Sequence, residues 1–207
     1  MARAGFVAVA GRPNVGKSTL VNALVGHKVA IVSDKPQTTR RAIRGVATRD
    51  DVQLVLTDLP GVQRPRDELT RRMQHRVEQE PGEADAAPFV VHADQGVGGP
   101  GDQWIATALA GARVPVAIAV NKVDRTSNPR TVTALAAAAE LGLDADVFPV
   151  SARTGSGVEA LVGHLASLLP PGPFYFPPEE VSDQPESVLL AELVREQGLA
   201  RTRQELP

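Results

Sequence analysis

The sequence of 207 residues has no cysteine, only four histidines and 3% aromatic residues. The absence of cysteine excludes disulfide scaffolds, iron–sulfur clusters, cysteine-bound zinc and thiol nucleophiles, and it fits a protein of the cytoplasm. The few scattered histidines leave little for a metal site. The longest apolar runs, such as 114–120, have about seven residues, which is too short for a membrane span. Residues 1–5 show no apolar signal-peptide region, so we expect a cytoplasmic protein.

The composition, with 43% hydrophobic and 22% charged residues, is typical of a globular protein. The length fits one domain with a small appendage. Its formal net charge is only −2, but arginines are concentrated between Arg40 and Arg76. Such a segment is typical of a solvated surface helix and loop. The alternative interpretation is a basic patch that contacts RNA or a protein.

Strand patterns alternate with helix patterns, which predicts a three-layer α/β/α sandwich around a six-stranded, mostly parallel sheet. The predicted strands are Phe6–Ala10, Ile43–Thr48, Val52–Thr57, Phe89–His92, Val114–Val120 and Val147–Val150. The predicted helices are Lys17–Val25, Leu69–Gln79, Asp102–Ala110, Arg130–Leu141 and Val158–Leu169. Only residues 49–51 separate the second strand from the third. These two strands should therefore form an antiparallel hairpin, with the second strand at the edge of the sheet.

The composition changes after residue 169, which ends the predicted α/β domain (1–169). Six of the 17 prolines and three of the seven aromatic residues lie in 170–185, and this pattern predicts a stiff, extended connector. We expect its aromatic residues, 174–176, to pack on the α/β domain rather than to stack on RNA bases. The last segment, 186–207, contains one amphipathic helix pattern over Glu186–Arg203.

A phosphate-binding motif, GxxxxGK[ST], follows the first strand and opens the first helix. Its residues are Gly11, Arg12, Pro13, Asn14, Val15, Gly16, Lys17, Ser18 and Thr19. Successive backbone N–H groups and the helix N-terminus bind the β-phosphate in such a loop. Lys17 brings its charge to the β- and γ-phosphates, and the Ser18 hydroxyl binds Mg²⁺.

A base-binding motif, Asn121-Lys122-Val123-Asp124, follows a buried strand at the edge where open α/β sheets bind ligands. The Asp124 carboxylate can accept two hydrogen bonds from the N1–H and the exocyclic amine of guanine, which adenine does not present. Asn121 would bind the other edge of the base and the adjoining loop, and the Lys122 stem would cover the ring. Ser151 and Ala152 follow the last strand and would place a backbone N–H against the guanine carbonyl.

Two further segments are predicted to contact the γ-phosphate. Asp58-Leu59-Pro60-Gly61 matches DxxG, in which Asp58 holds Mg²⁺ through water and the Gly61 amide meets the γ-phosphate. The loop Pro36–Arg40 contains Thr38 and Thr39. We favour Thr39 as the residue that binds both Mg²⁺ and the γ-phosphate while GTP is present.

These motifs, together with the connector Leu169–Pro177, closely resemble the bacterial Era family of translation-factor-class GTPases. The segment 183–207 resembles the lead-in to the second domain of that family. The resemblance implies a GTP-binding, slowly GTP-hydrolysing switch in small ribosomal subunit (30S) biogenesis and small-subunit rRNA maturation, with Mg²⁺ and GTP or GDP as ligands. It also implies peripheral contact with the inner face of the cell membrane, although the sequence shows no basic amphipathic helix for it.

The chain departs from the family pattern at three places. Leu59 stands where the family has threonine, and we expect nucleotide binding to survive this change. Pro81 and Pro88 flank the connection into the central strand at Phe89, and they predict a locally loosened sheet. The chain stops before the G-x-x-G loop of the family's KH-type RNA-binding domain, so 186–207 would be only the first helix of that domain.

The catalytic residues indicated by these motifs are Asn14, Lys17, Thr39 and Gly61. Val62 stands where Ras-like enzymes have the glutamine that orients the attacking water, and we therefore expect slow turnover. The resemblance implies that Asn14 binds K⁺ beside the phosphates, and the alternative is that Asn14 only hydrogen-bonds within its own loop. At the level of function, the alternative is an interaction module that binds GTP or GDP without appreciable turnover.

Overall fold

The computed structural model describes residues 1–32, 43–58 and 84–201. The predicted helix Leu69–Gln79 and Pro81 lie outside these ranges. The strands of the described part are β1 (Arg3–Gly11), β2 (Ile43–Arg49), β3 (Val52–Asp58), β4 (Ala87–His92), β5 (Val116–Asn121) and β6 (Ala145–Pro149). Its α-helices are α1 (Lys17–Val25), α2 (Pro100–Ala112), α3 (Asn128–Ala139), α4 (Val158–Leu168) and α5 (Glu186–Arg201).

The six strands form one sheet in the order β2-β3-β1-β4-β5-β6. All neighbouring pairs are parallel except β2 and β3, which form an antiparallel hairpin with Arg49 opposite Val52. The predicted mostly parallel sheet with one antiparallel edge strand is confirmed. The parallel strands end on the same side of the sheet, so the loops that follow β1, β4, β5 and β6 come together there.

Helices cover both faces of the sheet, and each face has its own apolar core. On one face, α1 and α4 pack on β1 and β3, with Leu20, Leu24 and Leu161 fully buried. On the other face, α2 and α3 pack on β4 and β5 around Phe89 and Ile118. The central strands β4 and β5 are therefore buried on both sides, which is why their sequences are nearly continuous apolar runs.

The structure shifts several predicted boundaries by one to three residues, and β5 gives the clearest reason. Val114 is buried, but Pro115 follows it, and the strand begins only at Val116. At its other end β5 continues through Asn121, whose backbone pairs with His92 of β4. The polar site residue thus belongs to the strand itself, which holds it more rigidly than a loop would.

Pro88 does interrupt the ladder between β1 and β4, as expected from its missing N–H. The two strands form an isolated bridge at Val7–Ala86 and pair again only from Ala10–Phe89 onward. On its other side β4 pairs with β5 without a break from Ala87 to His92. The weakening is confined to one side of one strand, and Pro88 itself is buried.

The proline-rich connector lies along the sheet rather than projecting from it. It begins with a bridge between Pro171 and Arg3 and ends with an antiparallel bridge between Ser182 and Gly45 of the edge strand β2. The Val46 N–H donates to the carbonyl of Val181 at 2.9 Å. At Gly45 and Val46 the connector thereby pairs with the edge strand, which would otherwise expose its backbone groups there.

Candidate nucleotide-binding site

The phosphate-binding loop joins β1 to α1, between Gly11, the last strand residue, and Lys17, the first helical residue. Lys17 is buried, and its Nζ donates to the carbonyls of Gly11 (3.1 Å) and Arg12 (3.0 Å). The lysine thus folds back over the loop, and its charge lies where the loop and the helix N-terminus converge. Ser18 and Thr19 follow in the first turn of α1.

Asn121 connects this loop to the base-binding loops. It is 1% exposed, its Nδ2 donates to the carbonyl of Val15 (2.9 Å), and its Oδ1 accepts the N–H of Ala152 (3.0 Å). Gly16 has the left-handed φ of 97°, and a Cβ there would lie 2.4 Å from Asn121 Nδ2. The second motif glycine therefore allows both the turn and the close approach of the asparagine.

The remaining predicted base-binding residues lie at the same edge. The Lys122 Nζ donates to the carbonyl of Asn14 at 2.7 Å, so the lysine stem spans from the end of β5 to the phosphate loop. Asp124 is exposed in the 3₁₀ turn Val123–Arg125, and Ser151 Oγ donates to its Oδ1 at 2.7 Å. Ser151 thereby orients the carboxylate, a role that the sequence did not reveal.

A cleft of about 230 Å³ lies at this edge of the sheet. The lining residues are Asn14, Gly16, Thr19, Val32, Asn121, Lys122, Asp124, Arg125, Ala152 and Arg153. Three of them were not predicted: Val32, Arg125 and Arg153. The two arginines directly follow Asp124 and Ala152 in sequence, so adjacency to the motifs could have indicated them. Val32 carries no such signal, because an apolar residue in a loop has many roles.

The two predicted segments for the γ-phosphate are only partly visible. Thr38, Thr39, Leu59, Pro60 and Gly61 lie outside the described residues. Asp58 is the last residue of β3, and its backbone pairs with Val9 of β1. The structure therefore brings the end of β3 beside the strand that leads into the phosphate loop.

Ser18 lies in the first turn of α1, and the backbone of Asp58 ends β3. Hydroxyl and carboxylate oxygens are hard donors of the kind that Mg²⁺ prefers. Among the described residues, no group of three or more His, Asp or Glu side chains could hold a metal ion by itself. These two residue types fit a Mg²⁺ whose other ligands come from phosphate oxygens and water.

A buried histidine, His92, ends β4 beside Asn121. Its Nδ1 accepts the N–H of Asp94 at 3.1 Å. Burial, followed by the positive charge of Lys122, lowers the pKa of His92 to about 4. The ring is therefore neutral at physiological pH and adds no positive charge beside Lys122.

Comparisons with known proteins agree with this geometry. A family model described as "50S ribosome-binding GTPase" matches residues 6–122. The chain is 49% identical to GTPase Era of Mycobacterium avium and 47% identical to GTPase Era of Mycolicibacterium smegmatis, in each case over 99% of this chain and 69% of the relative. A crystal structure of Era in complex with MgGDPNP and nucleotides 1506–1542 of 16S ribosomal RNA aligns with a TM-score of 0.91 and 34% identity, over 100% of this chain and 70% of that one.

A more distant structure, translation elongation factor SelB of Methanococcus maripaludis, aligns with a TM-score of 0.62 at 18% identity and shares the fold alone. The first two relatives share nearly half of the residues over almost the whole chain. Their similarity extends through the connector and α5, beyond the segment that the family model matches. This chain belongs to the Era family of GTPases.

Proposed function

We propose that this protein is a GTP-binding, slowly GTP-hydrolysing switch that acts in assembly of the small ribosomal subunit. The observation that carries the nucleotide assignment is the position of the Asp124 carboxylate. Ser151 donates a hydrogen bond to this carboxylate, and Asn121 donates one to the neighbouring phosphate loop. A carboxylate in this position accepts the two hydrogen-bond donors on one edge of guanine. The same cleft would offer adenine no matching acceptor and donor pattern.

The proposed roles of the residues follow from their chemistry. The backbone of the phosphate loop binds the β-phosphate, and Lys17 neutralises charge on the β- and γ-phosphates. Ser18 and Thr39 would bind Mg²⁺ directly and Asp58 through water, while the Gly61 amide would bind the γ-phosphate. Together these groups stabilise the charge that develops on the transferring phosphoryl group.

We propose slow turnover because Val62 cannot orient a water molecule. Asn14 lies at the exposed tip of the phosphate loop with a φ of 64°, a conformation that asparagine tolerates better than most residues. We propose that its side chain binds K⁺, which adds positive charge beside the phosphates. GTP hydrolysis should then be faster in KCl than in NaCl, and equal rates in the two salts would remove K⁺ from the proposal.

The ribosomal role rests on similarity at the level of the whole chain. The solved Era neighbour was crystallised with a fragment of 16S ribosomal RNA, and we propose that this chain also serves the small subunit. The family model is described as 50S ribosome-binding, but it matches only residues 6–122. We therefore base the proposed ribosomal subunit on the Era neighbour, which aligns over the whole chain. In this proposal 170–185 links the GTPase domain to a KH-type RNA-binding domain that begins with 186–207, and the protein acts in the cytoplasm.

Peripheral membrane contact stays a prediction from the resemblance. Within the described residues, no helix combines the length and the apolar character that crossing a bilayer requires.

Base specificity is the direct test of the nucleotide assignment. The wild-type protein should bind fluorescent GTP at least about 100-fold more tightly than ATP or XTP, because a mismatched base leaves a polar group of the site unpaired. Asp124→Asn should reverse the preference toward XTP, since the amide can donate to the 2-oxo group of xanthine. Asp144→Asn, at an exposed position before β6, should bind like the wild type. Equal affinity of the wild type for GTP and ATP would refute the assignment.

Single-turnover hydrolysis separates the switch from the alternative, a module that binds GTP without hydrolysing it. Val62 favours this alternative because valine cannot orient the attacking water. If GTP bound with Mg²⁺ and K⁺ is converted to GDP within an hour, the protein is a slow enzyme. If it survives for many hours, the protein is a nucleotide-dependent interaction module.

A further inference from the structure

Arg12, inside the phosphate loop, forms a partly buried ion pair with Asp102 in the first turn of α2. The Arg12 Nε donates to Asp102 Oδ1 at 2.7 Å. The Asp102 side chain is fully buried, and the Arg12 side chain is 29% exposed. A buried carboxylate is costly without a partner, so this contact is held much more firmly than a surface ion pair.

The surroundings of the pair fix its geometry further. The second oxygen, Asp102 Oδ2, accepts the N–H of Gly98 at 3.2 Å, so the carboxylate also fastens the loop that follows β4. Gly101 gives Arg12 room to lie across the first turn of α2, since a Cβ there would come within 2.7 Å of Arg12 Cδ. The carboxylate also lies at a helix N-terminus, where negative charge is favourable.

The main chain of the same arginine touches the reacting end of the site. The Arg12 carbonyl accepts a hydrogen bond from the Lys17 Nζ at 3.0 Å. Arg12 is therefore held at its guanidinium group by α2, and through its carbonyl it helps to set the position of the Lys17 ammonium. A shift of the loop at Arg12 would move an acceptor of the lysine that serves the β- and γ-phosphates.

We propose that Asp102 is a positioning residue for GTP hydrolysis, which acts through Arg12 on the phosphate loop and Lys17. The pair couples the loop to α2 before any nucleotide binds, so the charge of Lys17 is already in place when the γ-phosphate arrives. This inference rests on the proposed GTPase function. Loss of the Arg12–Asp102 pair should impair the positioning of groups at the γ-phosphate more than binding of the base, because Asp124 and Asn121 are held by their own contacts.

The sharpest test keeps both charged groups and changes only the room that α2 leaves for the Arg12 side chain. Gly101→Ala places a methyl group within 2.7 Å of Arg12 Cδ, so the arginine side chain must shift while both charged groups are kept. We expect kcat at saturating GTP to fall by about 10-fold, since small misplacements of catalytic groups are expensive. GDP affinity should change by less than about 3-fold, and the Tm should stay well above the assay temperature. Gly111→Ala in the same helix, where a Cβ would meet nothing within 4 Å, is the matched control and should keep the wild-type kcat.

A double-mutant cycle gives the second measurement. Arg12→Gln and Asp102→Asn should each lower kcat by about 10-fold, and the double variant should be no slower than the worse single variant, because the two groups act as one unit. Assays well below the Tm of every variant separate positioning from unfolding. Wild-type kcat in Gly101→Ala, or effects that multiply in the double variant, would overturn the inference. Failure of the wild-type protein to hydrolyse GTP would instead overturn the proposed function.

Discussion

Two buried side-chain amides, Asn121 in the nucleotide cleft and Gln53 under the connector, do the same physical work in two regions of the molecule. Gln53 is fully buried in β3, its Oε1 accepts the N–H groups of Tyr175 (2.8 Å) and Phe176 (3.0 Å), and its Nε2 donates to the carbonyl of Phe176 (2.9 Å). Asn121 binds backbone groups of the phosphate loop and of the loop after β6 in the same way. Each amide fastens a segment more than 100 residues away in sequence to the end or face of a strand.

The two amides differ in the function of the segments that they hold. The segments that Asn121 joins are loops that line the candidate nucleotide cleft, so we expect a displacement of either loop to lower nucleotide affinity. The segment that Gln53 holds is a stiff connector, which also packs the Tyr175 ring 4.9 Å from the Phe6 ring. An error there appears as lost stability. The same chemistry thus serves binding in one region and the docking of an appended segment in the other.

The largest effect is expected for Asn121→Ala. Removal of the amide leaves the Val15 carbonyl and the Ala152 N–H without their partner and frees both loops, so GTP affinity should fall by about 100-fold or more. Isothermal titration of GTP measures this change. Asn128→Ala, at the exposed start of α3, should leave the affinity unchanged. An affinity within about 3-fold of the wild type in Asn121→Ala would show that the ligand, and not the amide, organises the cleft.

The cleft region should also lose stability in acid, because of His92. The native pKa is about 4 and the ordinary value is 6.5, so between these values the unfolded chain takes up a proton that the native ring does not. Stability should fall as the pH drops from about 6.5 to about 4, by up to about 3 kcal/mol in total, with no further loss from this group below that range.

His92→Asn is the variant that tests this. Its Oδ1 can replace the acceptor that the ring offers to the Asp94 N–H, but it does not titrate. Urea unfolding at pH 7, 5.5 and 4 should show a shallower pH dependence in the variant than in the wild type. His27→Asn, at an exposed position after α1, should retain the wild-type slope. Parallel slopes for wild type and His92→Asn would assign the acid sensitivity to other groups.

The sequence predicted one of the two amides and missed the other, and the reason is physical. Asn121 belongs to a short motif in which spacing, strand context and ligand chemistry agree, and the mixed sheet followed from the same alternation of strands and helices. Gln53 is a polar residue in a strand, a position where exposed glutamines also occur. Its role depends on Tyr175 and Phe176, which only the three-dimensional course of the connector brings near. Asp102 was missed for the same reason, because its partner Arg12 lies 90 residues away.

Contacts between the appended helix and the GTPase domain were also beyond prediction. The sequence predicted an amphipathic helix over Glu186–Arg203 but did not indicate its partner. In the structure Glu196 of α5 accepts a hydrogen bond from the Val32 N–H at 2.9 Å and pairs with Lys28. A single carboxylate on a half-polar helix gives no signal of its partner in sequence. Long-range polar contacts of this kind are what the sequence patterns do not encode.

The smallest effect is expected for Gln53, and it should be confined to stability. Gln53→Leu removes the partners of the Tyr175 and Phe176 N–H groups and should lower the free energy of unfolding by about 2 kcal/mol, the cost of leaving buried polar groups unpaired. Urea unfolding at pH 7 measures this loss. GTP affinity, measured by the same titration as for Asn121→Ala, should stay within about 2-fold of the wild type, because no partner of Gln53 lines the cleft.

Gln103→Leu, at an exposed position in α2, is the matched control and should change neither quantity. The pair of substitutions at 53 and 121 then separates the two regions: one variant loses stability and keeps affinity, and the other loses affinity. If Gln53→Leu also weakened GTP binding by 10-fold or more, the connector would be coupled to the cleft through β3, which ends at Asp58. Nucleotide binding would then change the stability of the contact between the connector and β3, because a coupling free energy acts equally in both directions.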